Sequence, residues 1–209
     1  MSFSLRAAVL TVATLALIAG CQGGSGVTVH ADDDEHPMAL RAGGGGFASS
    51  ADGRKPGGTW TTTFGSIFPC VAKGPSPMVI DGVDWVSDNG LDPLSVRVFH
   101  RTFDDSESDP IISMTGTPLD DNNDLSGTLQ EGVEGFRVER SCKESTDNKG
   151  ETDELLVAVK SDDGGAHVGD FTVRYTTPDG RKYAVVSAWK MHICGTQAPK
   201  ELCDGDAGT

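Results

Sequence analysis

From residue 59 to the C-terminal end, apolar and polar residues alternate in short runs. These runs are rich in Val, Ile, Thr and aromatic residues, and clusters of Gly, Pro, Asp and Asn separate them. An alternation with a period of two places the apolar side chains on one face of a strand, and no window of a dozen residues keeps a helical period. The pattern therefore predicts an all-β domain, with strands at 59–68, 78–86, 94–103, 111–115, 135–142 and 155–160.

A β-hairpin follows these strands. Its two runs, 168–176 and 181–193, are joined through Pro178-Asp179-Gly180, and the Asp-Gly pair supplies the positive φ angles that a tight turn requires. The apolar members of each run occupy alternate positions, as Phe171, Val173 and Tyr175 do in the first. Seven or eight short strands predict one small antiparallel β-sandwich, immunoglobulin-like, over residues 59–209. Asp81-Gly82, inside one predicted strand, is either a turn or a bulge.

Residues 21–58 have a different composition. They are mostly Gly, Ser, Ala and Asp, with almost no large apolar side chains, and such a segment cannot bury enough surface to offset its ordering entropy. We therefore predict a disordered tether in front of the sandwich. His30, the run Asp32 to Asp34, Glu35 and His36 carry metal-ligand atoms, but a mobile tether is poorly organised to hold an ion, so no metal site is predicted.

The first 21 residues have the layout of a signal peptide. Arg6 precedes an apolar run at 7–17, which Ile18-Ala19-Gly20-Cys21 closes. The run is too short for a permanent membrane span, which needs roughly 20 apolar residues. The last four residues resemble a lipobox, the processing site of bacterial lipoproteins. The resemblance implies that residues 1–20 are removed and that Cys21 carries a diacylglyceryl group, with palmitate-type acyl chains holding the protein at the extracytoplasmic face of the cell membrane. The alternative is an ordinary secretory signal with Cys21 in a disulfide.

Four cysteines remain once Cys21 is assigned to lipid. An exported protein meets conditions in which disulfides persist, so we expect two bridges, and the sequence permits three pairings. We favour Cys194 with Cys203, since the short loop between them would fasten the C-terminus, which leaves Cys70 with Cys142. The paired spacing of a zinc knuckle and the Cys-x-x-Cys of a redox pair are both absent from the sequence.

The net charge of the chain limits the classes of partner that it is expected to bind. The chain has 31 acidic and 17 basic residues and a formal net charge of -14. Nucleic-acid binding relies on clustered Lys and Arg, and adsorption to anionic lipid needs the same, so the sequence disfavours both.

Catalytic candidates are few. The domain histidines are His100, His167 and His192, no Gly-x-Ser-x-Gly elbow occurs, and the cysteines are committed to bridges, so we predict no catalytic residue and no cofactor. The acidic segment from Asp120 to Glu131 has oxygen ligands at the spacing of an EF-hand loop, but Leu125 stands where that loop requires Gly. We interpret the segment as a solvated loop, with calcium binding left open.

Several stretches of the domain resemble small actinobacterial envelope lipoproteins, a group without an assigned activity. The resemblance lies in Phe64-Gly65-Ser66 before Cys70, Glu154-Leu155-Leu156-Val157, the Tyr175 to Tyr183 turn with Gly180-Arg181, and the ending Trp189-Lys190-Met191-His192-Ile193-Cys194-Gly195. It implies location and fold and lends no catalytic residue.

We therefore expect a non-catalytic binding or structural module of the cell envelope, anchored to the membrane through lipid on Cys21, with an envelope protein or a wall polymer as its partner. The alternative is an enzyme or a metal-dependent accessory protein whose site is assembled from scattered residues. A deep cleft gathering His100, His167 or His192 beside carboxylates would favour this alternative, whereas a filled interior with shallow surface hollows would favour the module.

Overall fold

The computed structural model describes residues 26–42, 46–50, 54–87, 90–104, 106, 109–121, 123–145, 150–187 and 189–197. Almost all of their regular structure is strand, as the sequence predicts. The elements are β1 (Thr28–Ala31), β2 (Met38–Ala39), β3 (Phe47–Ser49), β4 (Trp60–Ile67), β5 (Cys70–Val71), β6 (Met78–Val86), β7 (Ser95–Asp104), β8 (Ser113–Thr115), β9 (Thr128–Glu131), β10 (Arg137–Val138), α1 (Cys142–Ser145), β11 (Glu151–Ser161), β12 (Ala166–Val168), β13 (Asp170–Thr176), β14 (Lys182–Ser187) and β15 (Met191–Ile193).

Two five-stranded sheets make up most of the fold. Sheet I has the strand order β1-β14-β13-β6-β10, and sheet II has the order β8-β4-β11-β7-β9. Every pairing in them is antiparallel except that of β1 with β14, which is parallel. Two smaller sheets, β12-β15-β3 and β2-β5, complete the structure.

One hydrophobic core joins all four sheets. Because side chains alternate along a strand, each sheet turns its apolar positions toward this core. Its fully buried members include Phe64, Leu155 and Val157 of sheet II, Ile80, Phe171, Val173, Tyr175 and Val185 of sheet I, and Ala166, Val168 and Ile193 of the sheet β12-β15-β3. The predicted β-sandwich is confirmed.

Sheet II is covered on its outer face as well. Phe99, Leu156 and Ala158 are buried there, beneath the partly buried Ile111, Leu125 and Leu129. The central strand β11 therefore carries consecutive apolar residues from 155 to 159, a pattern typical of a strand that is buried on both faces.

The predicted hairpin is confirmed as β13 and β14, but its second strand is shorter than expected. The predicted run 181–193 divides, because β14 ends at Ser187 and β15 pairs with β12 and β3 in another sheet. Ser187 Oγ accepts a hydrogen bond from the backbone N–H of the buried Trp189 at 3.1 Å, which fixes the chain where it leaves sheet I.

The predicted strand 135–142 is largely wrong. Arg137–Val138 forms the one strand in this range and pairs with β6, Ser141 makes an isolated bridge to Val71, and Cys142 begins the short helix α1. Ser141 and Glu144 form a capping box at this helix, since the Glu144 N–H donates to Ser141 Oγ at 3.3 Å and the Ser141 N–H donates to Glu144 Oε2 at 3.0 Å. This local capping replaces the strand pairing that the apolar residues suggested.

Asp81-Gly82 forms a bulge and not a turn. Arg174 of β13 lies opposite Gly82, and Tyr175 lies opposite Ile80, so Asp81 is the inserted residue. Gly82 has a φ of 158°, and a Cβ atom there would lie 2.7 Å from a guanidinium nitrogen of Arg174. Glycine lets the Arg174 side chain cross the strand at this point.

The predicted disordered tether is wrong over residues 26–42 and 46–50, which belong to the folded domain. Strand β1 pairs with β14, β2 with β5, and β3 with β15. Met38, Ala39 and Leu40 are at most 1% exposed. A short apolar cluster and pairing to distant strands stabilise this segment, although its overall composition is polar.

Candidate functional site

The loop between β1 and β2 is held by contacts of its acidic side chains. Asp32 Oδ1 accepts from the Leu40 N–H at 2.7 Å, and Asp34 pairs with Arg41 at 2.7 Å. Glu35 pairs with Lys73 at 2.7 Å. Three of the four acids in the run 32–35 thus have partners that fold the loop back onto its own chain and onto the segment after β5.

His30 lies at the base of this loop. The alternation of β1 places it on the inner face, opposite Val185 of β14, where it is 6% exposed. Its Nδ1 lies 2.7 Å from the Ala31 carbonyl oxygen, and its Nε2 lies 2.9 Å from the Tyr175 hydroxyl. A carbonyl oxygen only accepts, so Nδ1 carries the proton in the neutral ring and Nε2 holds the lone pair.

Burial sets the protonation of this pair. Desolvation lowers the pKa of His30 below its usual value, although the bond to Ala31 acts in the opposite direction. Burial likewise raises the pKa of the Tyr175 hydroxyl, which accepts a hydrogen bond from the Met38 N–H at 3.3 Å. A neutral imidazole beside a neutral phenol is therefore the favoured state at neutral pH.

His36 and Asp33 complete a cluster with His30. The two imidazole rings stack at a centroid distance of 4.1 Å and an interplanar angle of 13°. Asp33 Oδ1 lies 2.8 Å from His36 Nδ1, and this bond is the main cause that lowers the pKa of Asp33. The ligand atoms of the three residues all lie within 4.8 Å of one another, which is a grouping suited to a metal ion.

A hollow of about 280 Å³ adjoins the cluster and is lined by His36. Its charged lining consists of two pairs: Lys73 with Glu35, and Arg181 with Asp179. The bond to Arg181, followed by that from Thr177, lowers the pKa of Asp179 to about 2. Because each cation faces a carboxylate, the hollow has no excess positive charge with which to attract an anion.

One predicted disulfide is formed. Cys70 and Cys142 are bonded, with their Cα atoms 4.8 Å apart. Cys194 is also disulfide-bonded, whereas its predicted partner Cys203 and the predicted lipidation site Cys21 lie outside the described residues. The pairing of Cys194 with Cys203 therefore remains a prediction.

The structure does not gather the three domain histidines into one site. His100 stacks on Phe136 at 4.3 Å, and its Nδ1 lies 2.9 Å from the Gly132 carbonyl oxygen. His167 and His192 lie side by side across β12 and β15, both at most 5% exposed, with their Nδ1 atoms in contact. These contacts are typical of structural histidines.

The acidic segment 120–131 is engaged in protein contacts where it is described. Asp120 accepts from the backbone N–H and the hydroxyl of Thr117, and Glu131 forms a two-point ion pair with Arg97. Asn122 lies outside the described residues. The interpretation of the whole segment as a loop is wrong at its end, because Thr128–Glu131 forms β9 and pairs with β7, and calcium binding stays untested.

The sequence carried one signal for the histidine cluster. His30, Asp33 and His36 are spaced three residues apart, but no metal site was predicted there because the composition of the segment indicates disorder. Tyr175, which fixes His30, is 145 residues away in the chain and cannot be linked to it by local pattern.

No family model matches the chain, and neither a curated protein nor a solved structure matches it. Among the residues that the structure describes, no helix combines the length and the apolar character needed to cross a membrane.

Proposed function

We propose that the protein is a lipid-anchored lipoprotein of the extracytoplasmic face of the cell membrane, where it acts as a non-catalytic binding or structural module of the envelope. The lipobox-like Ile18-Ala19-Gly20-Cys21 supports the anchor, and the disulfide between Cys70 and Cys142 is consistent with an oxidising compartment. An envelope protein or a wall polymer is the class of partner proposed.

The proposed binding role is supported by the contrast between a filled interior and open hollows on the surface. Apolar side chains from all four sheets occupy the core, whereas hollows of roughly 230 to 280 Å³ lie around the loop 32–42 on the surface. Shallow hollows suit contact with a large partner better than enclosure of a small substrate.

The folded segment 26–42 changes the expected position of the domain relative to the membrane. Seven residue steps separate Cys21 from Thr28, the first residue of β1, and even a fully extended chain spans at most about 25 Å over that length. With lipid on Cys21, the loop 32–42 would lie close to the head groups, and its partner would be met near the membrane surface.

Intact mass of the protein from native membranes, measured before and after reduction with alkylation, tests this proposal. We expect a chain that starts at Cys21 and carries acyl chains, with four alkyl groups added only after reduction. The variant Cys21→Ala should lack the acyl mass, and Ser25→Ala should keep it. Cleavage at another position without lipid would contradict the anchor.

The second candidate function, a metal-dependent accessory protein, is favoured by one observation. His30, Asp33 and His36 converge on one side of the domain. In contrast to the three domain histidines, this cluster brings metal-ligand atoms together beside an accessible hollow.

A further inference from the structure

We propose that His30, Asp33 and His36 bind a divalent transition-metal ion of the zinc and copper class. The site extends beyond the anchored module proposed above, because metal binding by these residues requires neither the lipid nor an envelope partner. An experiment can therefore contradict the metal site without contradicting the lipid anchor, and the reverse also holds.

The ligand types select this class of ion. Imidazole nitrogens suit zinc, copper and nickel, whereas calcium takes six to eight oxygen ligands and magnesium keeps an octahedral oxygen shell. Two imidazoles and one carboxylate match the donor set of zinc sites that retain an exchangeable position. The other three acids of the run 32–35 are held by Leu40, Arg41 and Lys73 and so do not build an oxygen cage.

His30 already has the second hydrogen bond that metal-binding histidines show. A metal-bound imidazole usually donates its other N–H to a carbonyl or carboxylate oxygen, which fixes the ring and its tautomer. In His30 the Nδ1–H donates to the Ala31 carbonyl, whereas His36 Nδ1 lies 2.8 Å from Asp33 Oδ1, a contact that must open when Asp33 itself binds the ion. The bond to Ala31 leaves Nε2 as the ligand atom of His30, whereas either ring nitrogen of His36 can serve.

Small side-chain movements complete the site. Zinc bonds of about 2.0 to 2.1 Å place tetrahedral ligand atoms about 3.3 Å apart, somewhat closer than the 4.8 Å limit within which the three ligand atoms lie. The stacked rings must open so that their in-plane lone pairs converge on one point. His36 and Asp33 can make this change because their side chains are 36% and 40% exposed on the loop, while His30 stays fixed in β1.

On metal binding, the ion would replace the Tyr175 hydroxyl as the partner of His30 Nε2. The bond from the Met38 N–H keeps this hydroxyl next to the site, where it can donate to a metal-bound water or carboxylate oxygen. Three protein ligands would leave one coordination position for an exchangeable water, and His36 is the member of the cluster that lines the hollow.

Calorimetric titration of zinc into chelator-treated full-length protein in detergent tests the proposal. We expect one zinc ion per chain, a melting temperature that rises with zinc concentration, and no comparable response to calcium or magnesium. Cobalt as a substitute ion should give the visible absorption of a tetrahedral site. The variants His36→Ala and Asp33→Asn should each weaken zinc binding by roughly tenfold or more.

Asp34→Asn is the matched control, because it removes the same charge from the neighbouring residue, whose carboxylate faces Arg41. It should bind zinc like the natural chain, and circular dichroism should show all three variants folded. Absence of zinc binding would overturn the proposal, and so would unchanged binding in folded His36→Ala. Equal weakening in Asp33→Asn and Asp34→Asn would also overturn it, because that result would indicate general attraction to an acidic loop.

Discussion

Glu154 and Arg101 form an ion pair inside the domain, with side-chain exposures of 0% and 1%. Glu154 Oε1 accepts from the backbone N–H groups of Ser66 and Ile111 at 2.8 and 2.9 Å, and Oε2 lies 3.1 Å from Arg101 Nη1. Gly65 permits this approach, because a Cβ atom there would lie 2.8 Å from Oε1. The motifs around Gly65 and Glu154 that carried the family resemblance thus meet in one structural network.

Removal of the Glu154 charge should destabilise the domain strongly. Burial raises the pKa of Glu154, and the contacts with Ser66, Ile111 and Arg101 compensate only in part. In Glu154→Gln the Arg101 charge stays buried without its carboxylate, so we expect a loss of about 3 to 5 kcal/mol in the free energy of unfolding, measured with urea. Glu131→Gln, which breaks the exposed pair with Arg97, should cost less than about 1 kcal/mol. Equal losses in the two variants would contradict this account.

At the scale of elements, the strands with strong alternation were predictable and the short ones were not. β4, β6, β7, β11, β13 and β14 fall within or close to the runs that the apolar pattern predicted, because each buries apolar side chains on at least one face. β1 and β3 pair in parallel with strands that lie far away in the chain, and no local signal encodes such a partner. The histidine cluster was missed for the same reason, since its order depends on the burial of Met38 and Leu40.

Hydrogen exchange should show that the segment 28–40 is folded. Its amides pair with β14 and β5, and the Leu40 N–H donates to Asp32, so we expect slow exchange in peptides from this region. Met38→Ala removes a fully buried side chain and should cost about 2 to 5 kcal/mol, with faster exchange across the segment. Val29→Ala, at a position 65% exposed, should leave the pattern unchanged. Complete exchange of this segment at the earliest time point in the natural chain would instead support the predicted disordered tether.

At the scale of the whole molecule, composition and spacing predicted a disulfide-bonded sandwich but not which strands are neighbours. Sheet I joins β1, β14, β13, β6 and β10, from both ends and the middle of the chain, whereas sheet II joins β8, β4, β11, β7 and β9 from the middle. Such an arrangement is set by long-range burial, which a single sequence does not display. The Cys70–Cys142 disulfide is the long-range contact that was predicted, because pairing Cys194 with Cys203 left these two cysteines for each other.

The Cys70–Cys142 bond links the chain before β6 to the chain after β10, so the closed loop contains strands of both large sheets. With 72 residues of separation, the loop-entropy model gives a stabilisation of about 4 kcal/mol, because the cross-link restricts the unfolded chain. The double variant Cys70→Ala with Cys142→Ala should lower the free energy of unfolding by about that amount, measured with urea and by melting temperature. Alanine at both positions avoids a free thiol, and native-like hydrogen exchange in sheets I and II would show that the fold is kept. A loss below about 1 kcal/mol would mean that the packing of Ala39 and Ala72 around this bond already holds the two segments together.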